Sequence, residues 1–275
     1  MFPINTTSLL CIPASRYSCV SVPARRVKNI LFVTGTDTGA GKTVLTALLL
    51  DFLRSEGVGA LAMKPFCSGP RDDAVLLHGL QKGCLTLDDV NPFYFDRPLA
   101  PAAAARRGQV SLTVALRKIR DLATRCDLLI VEGVGGLMTP LGDQYSVRDL
   151  LQRLNCRVFL VCQNRLGVIN HTLLTAEALQ GTGIKEFTIV LMGVEKPDIS
   201  AKSNPRMIRQ RLPSIPLFCL PYLGKRASKV EEVKNNVKSL KKTLARLVGD
   251  DILRVFFNRT KKISTKPVDN FRFEQ

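Results

Sequence analysis

The sequence predicts an α/β fold, a single domain with a mainly parallel sheet covered by helices on both faces. Three observations predict it. Short, continuous apolar runs recur at 29–34, 60–64, 128–131, 157–162, 187–191 and 217–220. Helical patterns separate most of them, at 44–54, 112–125, 147–154 and 168–180. The first apolar run enters a glycine-rich loop that opens directly into a helix. Strands apolar on both sides are buried on both faces, which is the signature of parallel sheets.

Taken in order, 29–34 (N-I-L-F-V-T) is the first strand, and 44–54 is an apolar helix that ends before Gly57 and Gly59. Residues 60–64 form the second strand, 66–73 read as loop, and 74–80 as a short helix. The proline- and aromatic-rich stretch 91–101 reads as irregular. An amphipathic helix over 112–125 leads to the buried strand 128–131, which runs into Glu132-Gly133-Val134-Gly135-Gly136. At the C-terminal side, Val230, Val233, Val237, Leu240, Leu244 and Leu247 recur at three- and four-residue steps. That is one apolar stripe on a helix over 228–248, best satisfied by the chain's own domain. Ser228 and Glu231 have capping-box spacing, and Gly249 is placed to end the helix. Residues beyond about 258 read as frayed.

The 275 residues suit one large domain or one domain with appendages. Hydrophobic residues make up 45% and charged residues 23%, ordinary globular usage that excludes a wholly disordered chain. No apolar run reaches the roughly 18 residues needed to cross a bilayer. The formal charge of +17 is concentrated at the ends, with +4 on residues 1–28, +5 on 29–223 and +8 on 224–275. A basic end can meet nucleic acid or an anionic membrane, but a solvated end is the simpler reading, so neither partner is expected. The eight cysteines form no C-x-x-C pair and only two histidines accompany them, which argues against a zinc site and for a reducing, cytoplasmic setting. Residues 1–27 read as a flexible leader. Their lack of acids also fits an organellar transit peptide, the lesser of the two readings.

The most specific signal is Gly35-Thr36-Asp37-Thr38-Gly39-Ala40-Gly41-Lys42-Thr43 between a strand and a helix. Glycines let backbone N–H groups turn inward around phosphate oxygens, and the helix N-terminus adds positive potential. Lys42 reaches the β/γ-phosphates, and the Thr43 hydroxyl can bind magnesium. The strict pattern calls for glycine at position 36, where this chain has threonine. Glu132, at the end of a buried strand, is costly unless it meets a cation, and magnesium shared with Thr43 would satisfy it. Lys64 ends the second strand on the same ligand-binding edge, ahead of Ser68, Asp72 and Asp73.

Together these pieces resemble the dethiobiotin synthetase family, ATP-dependent enzymes of biotin synthesis with a P-loop NTPase-like domain. The stretches that carry the resemblance are V-T-G-T-D-T-G-A-G-K-T (33–43), K-P-F-C-S-G (64–69), D-D-A (72–74), N-P-F-Y-F (91–95), V-E-G-V-G-G-L-M-T-P-L (131–141) and R-L-G-V-I-N-H-T-L-L-T (165–175). The resemblance covers about 29–223. It implies a synthetase domain over 28–224, followed by a C-terminal helix and basic tail over 225–275 that it does not explain.

The resemblance implies ATP, magnesium, CO2 and 7,8-diaminononanoate as ligands. It places Lys42, Lys64 and Thr38 at the reacting carbamate and γ-phosphate, and Thr43, Asp73 and Glu132 on magnesium. Gly39, Ala40, Gly41, Lys42, Thr43 and Val44 would wrap the triphosphate, with Gly133, Val134 and Gly135 also on the nucleotide. Pro221, Tyr222 and Leu223 would lie near the base. Ser68 would contact the substrate. Gly167, Val168 and Asn170 would bind its carboxylate across the boundary of a homodimer. The family often reads adenine with an asparagine-containing pair where this chain has Met192-Gly193. A partitioning ATPase of the ParA/MinD kind shares the fold and would use the basic tail on DNA or membrane. Such proteins carry a lysine five residues before the catalytic one, where this chain has Asp37.

Overall fold

The computed structural model describes residues 29–249, apart from 82 and 107–109. The leader over 1–27 and the basic tail beyond 249 lie outside the described residues. Six strands form one sheet in the order β10-β9-β8-β1-β5-β2, and every neighbouring pair is parallel. They are β1 (Ile30–Gly35), β2 (Ala60–Met63), β5 (Leu128–Glu132), β8 (Arg157–Gln163), β9 (Phe187–Met192) and β10 (Leu217–Leu220). All six residues of β1 and all five of β5 are buried. Two small ribbons stand beside the sheet: β3 (Phe66–Ser68) with β4 (Phe93–Phe95), and β6 (Pro140–Gly142) with β7 (Tyr145–Ser146).

The helices are α1 (Lys42–Ser55), α2 (Asp72–Leu80), α3 (Leu87–Val90), α4 (Pro101–Ala104), α5 (Leu112–Ala123), α6 (Val147–Leu154), α7 (Val168–Gln180), α8 (Asn204–Arg211) and α9 (Val230–Val248). β1 is the switch point of the sheet. The chain leaves it to build β2 and β5 on one side and later returns to build β8, β9 and β10 on the other. Ligand crevices of open parallel sheets form at the carboxyl ends of strands at such a point. The register pairs Val33 with Glu132 and Gly35 with Val161, so the glycine-rich loop and Glu132 emerge side by side.

α1 is apolar nearly all round, with Leu45, Leu48, Leu49, Leu50, Phe52 and Leu53 fully or almost fully buried. A helix of that kind needs cover on two sides. The sheet supplies one, and α9 packs on the other, with its own Val233, Val237, Leu244, Leu247 and Val248 all buried. Lys241 Nζ reaches Glu56 Oε1 at 2.7 Å, just past the end of α1. Gly249 ends α9 at φ 87°, a conformation that favours glycine.

The structure corrects several expectations. Residues 66–73 are not all loop, because β3 pairs with β4 and the Phe66 and Phe93 rings stack at 4.9 Å. The stretch 91–101 is likewise not wholly irregular. α2 begins at Asp72, which puts Asp72 and Asp73 in a first turn whose dipole favours acids. The Ser228–Glu231 capping box does not form: Lys229 is the N-cap and no side chain caps the helix. α8 has no apolar stripe to announce it, since only Asn204 and Ile208 are buried.

Two outcomes follow from this packing. Leu244→Ala should lower unfolding free energy by about 2–4 kcal/mol, read from denaturant midpoints, because it opens a cavity between α9 and α1. The second concerns pH. Burial pushes the Cys162 thiol up to about 12, against the hydrogen bond it accepts from Thr172 at 3.3 Å. The unfolded chain releases this proton near its ordinary value of 9 while the folded chain keeps it, so stability falls as pH rises from about 9 toward 12. Cys162→Ala should flatten that slope in a urea-midpoint series.

Candidate functional site

At the carboxyl edge of β1, β2 and β5 lies a cavity of about 690 Å³. Its walls include Thr38, Gly39, Gly41, Lys42, Thr43 and Val44 from the loop and the start of α1, and Lys64, Ser68 and Asp73 after β2. Glu132, Val134 and Gly135 close it from β5. Of the sequence-predicted residues, Ala40 is packed beneath the loop rather than in the wall, buried to 3% exposure. Gly133 also stands back from it: its N–H donates to Val33 O at 2.9 Å, and a Cβ there would meet the Phe32 ring at 3.0 Å.

The loop is shaped by glycine. Gly39 and Gly41 have φ of 73° and 101°. A Cβ on Gly41 would also come within 2.9 Å of Met192 Cγ, so the loop rests on the end of β9. Gln163 at the end of β8 donates to Gly39 O at 2.7 Å and ties the loop down from the other side. The Lys42 ammonium donates to Asp37 O at 2.8 Å and Gly135 O at 2.7 Å, bridging the loop to the chain after β5. Burial pulls Lys42 down to about 8, although Glu132 works against it. Thr36, at the position of the missing glycine, donates its N–H to Val161 O at 3.1 Å as an extension of the sheet.

Lys64 stands between two acids. Its Nζ lies 2.6 Å from Glu132 Oε1 and 2.6 Å from Asp73 Oδ2. Burial alone would lower this lysine, but Glu132 and Asp73 outweigh it and hold Lys64 above the ordinary lysine range. The Thr43 hydroxyl donates to the same Glu132 Oε1 at 2.6 Å. Glu132 is fully buried, and its second oxygen, Oε2, has no hydrogen-bond partner. A buried carboxylate oxygen left bare is costly. Two carboxylates and a hydroxyl are the hard oxygen donors that magnesium takes, with waters and phosphates completing its shell. They do not form a cage of three or more acid, cysteine or histidine ligands, and no such cluster occurs among the described residues.

Beyond Lys64 the cavity continues past Cys67, Ser68, Pro98–Pro101 and Pro140. Sequence reasoning missed this arm except for Ser68. Gly69, at φ 79°, lies under Pro98, where a Cβ would sit 3.0 Å from the Pro98 Cβ. Ser228, read as a helix cap, instead lines the cavity. Gly167, Val168 and Asn170 lie outside this cavity at the start of α7. Gly167 is its N-cap at φ 92°, Val168 is buried and Asn170 is exposed. Pro221, Tyr222 and Leu223 follow β10, and a Cβ on Gly193 would meet Tyr222 N at 2.5 Å. Met192 O accepts from Asn164 N, and Gly193 N donates to Leu220 O, each at 2.8 Å. The pair at 192–193 therefore brings no polar side chain to its surroundings, and these backbone groups are already bonded.

A family model described as "AAA domain" matches residues 29–229. The ATP-dependent dethiobiotin synthetase BioD of Bacillus licheniformis is 40% identical over 202 residues, covering 70% of this chain and 83% of that one. The protein of the same name from Anaeromyxobacter sp. is 40% identical over 200 residues, covering 70% and 90%. The chain belongs to the dethiobiotin synthetase family. The Bacillus subtilis member is 36% identical over 195 residues, covering 68% of this chain and 84% of its own. Among solved structures, the MinC:MinD cell division protein complex of Aquifex aeolicus aligns with a TM-score of 0.52 at 12% identity, over 90% of this chain and all of that one. The septum site-determining protein MinD complexed with Mg-ADP from Pyrococcus horikoshii aligns at 0.50 and 15% identity, over 80% and 97%. At such identities these two share the fold with this chain and nothing finer.

Proposed function

We propose that the protein is an ATP-dependent ligase that closes a ureido ring on 7,8-diaminononanoate to give dethiobiotin. The observation that carries the reading is the convergence of Lys42, Thr43, Lys64, Asp73 and Glu132 in one cavity, in a chain of this family. One substrate amine adds to CO2 and loses a proton, giving a carbamate. A carbamate oxygen attacks the γ-phosphorus and ADP leaves, giving a carbamic–phosphoric anhydride. The second amine attacks the activated carbon, the ring closes and phosphate leaves. No protein nucleophile is required, so the chain contributes position and charge.

In this reading Gly39, Gly41 and the first turn of α1 hold the triphosphate through backbone N–H groups. Lys42 exchanges its two carbonyl acceptors for phosphate oxygens. Lys64, kept protonated by its two acids, offsets the charge that develops between carbamate and γ-phosphate. Thr38 and Ser68 bind on the carbamate side, and the arm toward Pro98–Pro101 takes the carbon chain. Thr43, Asp73 and Glu132 would hold magnesium, which when bound neutralises phosphate charge. Asn170, with Gly167 and Val168, would meet the substrate carboxylate of the partner in a homodimer. Pro221, Tyr222 and Leu223 would flank the base. Among the described residues no helix is long and apolar enough to cross a membrane.

Mass spectrometry of a complete reaction with diamine, bicarbonate, magnesium and nucleotide should show dethiobiotin. Run side by side, ATP, CTP and GTP should all support turnover, because Met192-Gly193 offers a base no polar side chain; absence of product from folded protein with all three would reject the activity. Lys42→Ala and Lys64→Ala should each cost about 3 kcal/mol of transition-state stabilisation, a fall of roughly 100-fold in kcat/KM. Near-normal turnover in either variant would remove its assigned role.

A further inference from the structure

α9 does more than cover α1. Its apolar residues face inward and leave the ridge from Lys234 onward polar. Lys234, Lys238, Lys242 and Arg246 follow one another at four-residue steps, forming a single ridge with about 6 Å of rise between neighbours. Like charges at this spacing repel and destabilise an isolated helix. Lys234 is relieved by Glu231 at 3.6 Å, whereas Lys238, Lys242 and Arg246 are exposed and no ion pair joins them to an acid among the described residues. From 233 to 249 the chain carries no acid at all. The adjoining ridge is Asn235, Ser239 and Thr243, an amide and two hydroxyls at the same steps. Lysine and arginine flanked by serine, threonine and asparagine are the side chains that hold nucleic-acid phosphates.

We propose that this face of α9 binds the phosphodiester backbone of a nucleic acid strand, without base specificity and independently of the reaction in the cavity. Regular spacing of the cations suits regularly spaced phosphates better than an irregular acidic peptide. A lipid surface fits less well, because an interfacial helix needs a free apolar face, and that of α9 is buried on α1.

The test is fluorescence anisotropy of the full chain with a labelled single-stranded DNA of about 20 nucleotides, between roughly 50 and 200 mM salt. Three phosphate contacts predict a log–log salt slope of about −2 from this ridge. The triple variant K238Q/K242Q/R246Q should bind at least tenfold more weakly at about 100 mM salt, with a slope shallower by about 2. A control triple on other surfaces, R117Q/K118Q/K202Q, removes the same charge and should stay within about twofold of the unaltered chain. Both triples should keep the turnover of the unaltered chain and melt no lower than it does, the α9 triple being relieved of like-charge repulsion. Salt-insensitive binding, equal losses in the two triples, no loss in the α9 triple, or tighter binding to polyglutamate or phosphatidylserine vesicles than to DNA would each overturn the proposal.

Discussion

Lys64 reaches Glu132 and Asp73 at 2.6 Å each, and the rest of the site is arranged around that contact. Glu132 is fully buried at the end of a central strand, where an unpaired carboxylate would cost several kcal/mol. Lys64 and Thr43 satisfy one of its oxygens and leave the other bare. The contact therefore offsets part of the cost of burying Glu132 and leaves one of its acceptor oxygens unpartnered. Removing one partner of such a buried pair typically costs about 3–5 kcal/mol, so it couples the stability of β5 to the chemistry of the cavity. Asp73 is nearly half exposed, and its share is correspondingly screened.

The two lysines are tuned in opposite directions by the same surroundings. Both are buried, but Lys42 meets carbonyl oxygens whereas Lys64 meets two carboxylates. Desolvation prevails for Lys42 and pulls it to about 8, while for Lys64 desolvation is the largest single effect but Glu132 and Asp73 together outweigh it and keep it charged. A lysine held by neutral carbonyls is free to exchange them for a charged acceptor. A lysine held between acids is a fixed positive charge. The cavity thus has one adaptable cation at the loop and one permanent cation at its centre.

α1 connects this chemistry to the C-terminal region. It begins at the glycine-rich loop and lies between the sheet and α9, so the helix whose N-terminus faces the cavity is held from both sides. Family likeness left residues beyond 224 without a role. Packing supplies one up to Gly249, in which the apolar stripe read from the sequence is the second cover of α1.

Much of this was legible in the amino-acid sequence. The order of strands and helices followed from apolar runs and periodicity, and the glycine-rich loop was visible as glycines set between a strand and a helix. Glu132 and Lys64 announced themselves as charges at the ends of apolar strands. The ribbon of β3 with β4, the short α8 and the cavity arm at Pro98–Pro101 were not legible. Their few buried residues leave no period to detect, and they are held by partners distant in the chain. Ser228 shows the same limit from the other side: local spacing made it a cap, but the helix starts later and the residue lines the cavity. The sequence by itself determined which residues carry charge, glycine freedom and apolar periodicity, because those are properties of short windows. Only the tertiary structure decided that Lys64 sits between Glu132 and Asp73, that Met192 lies under Gly41, and that α9 covers α1. Strand order and register set those distances, and they depend on the whole sheet rather than on any segment of it.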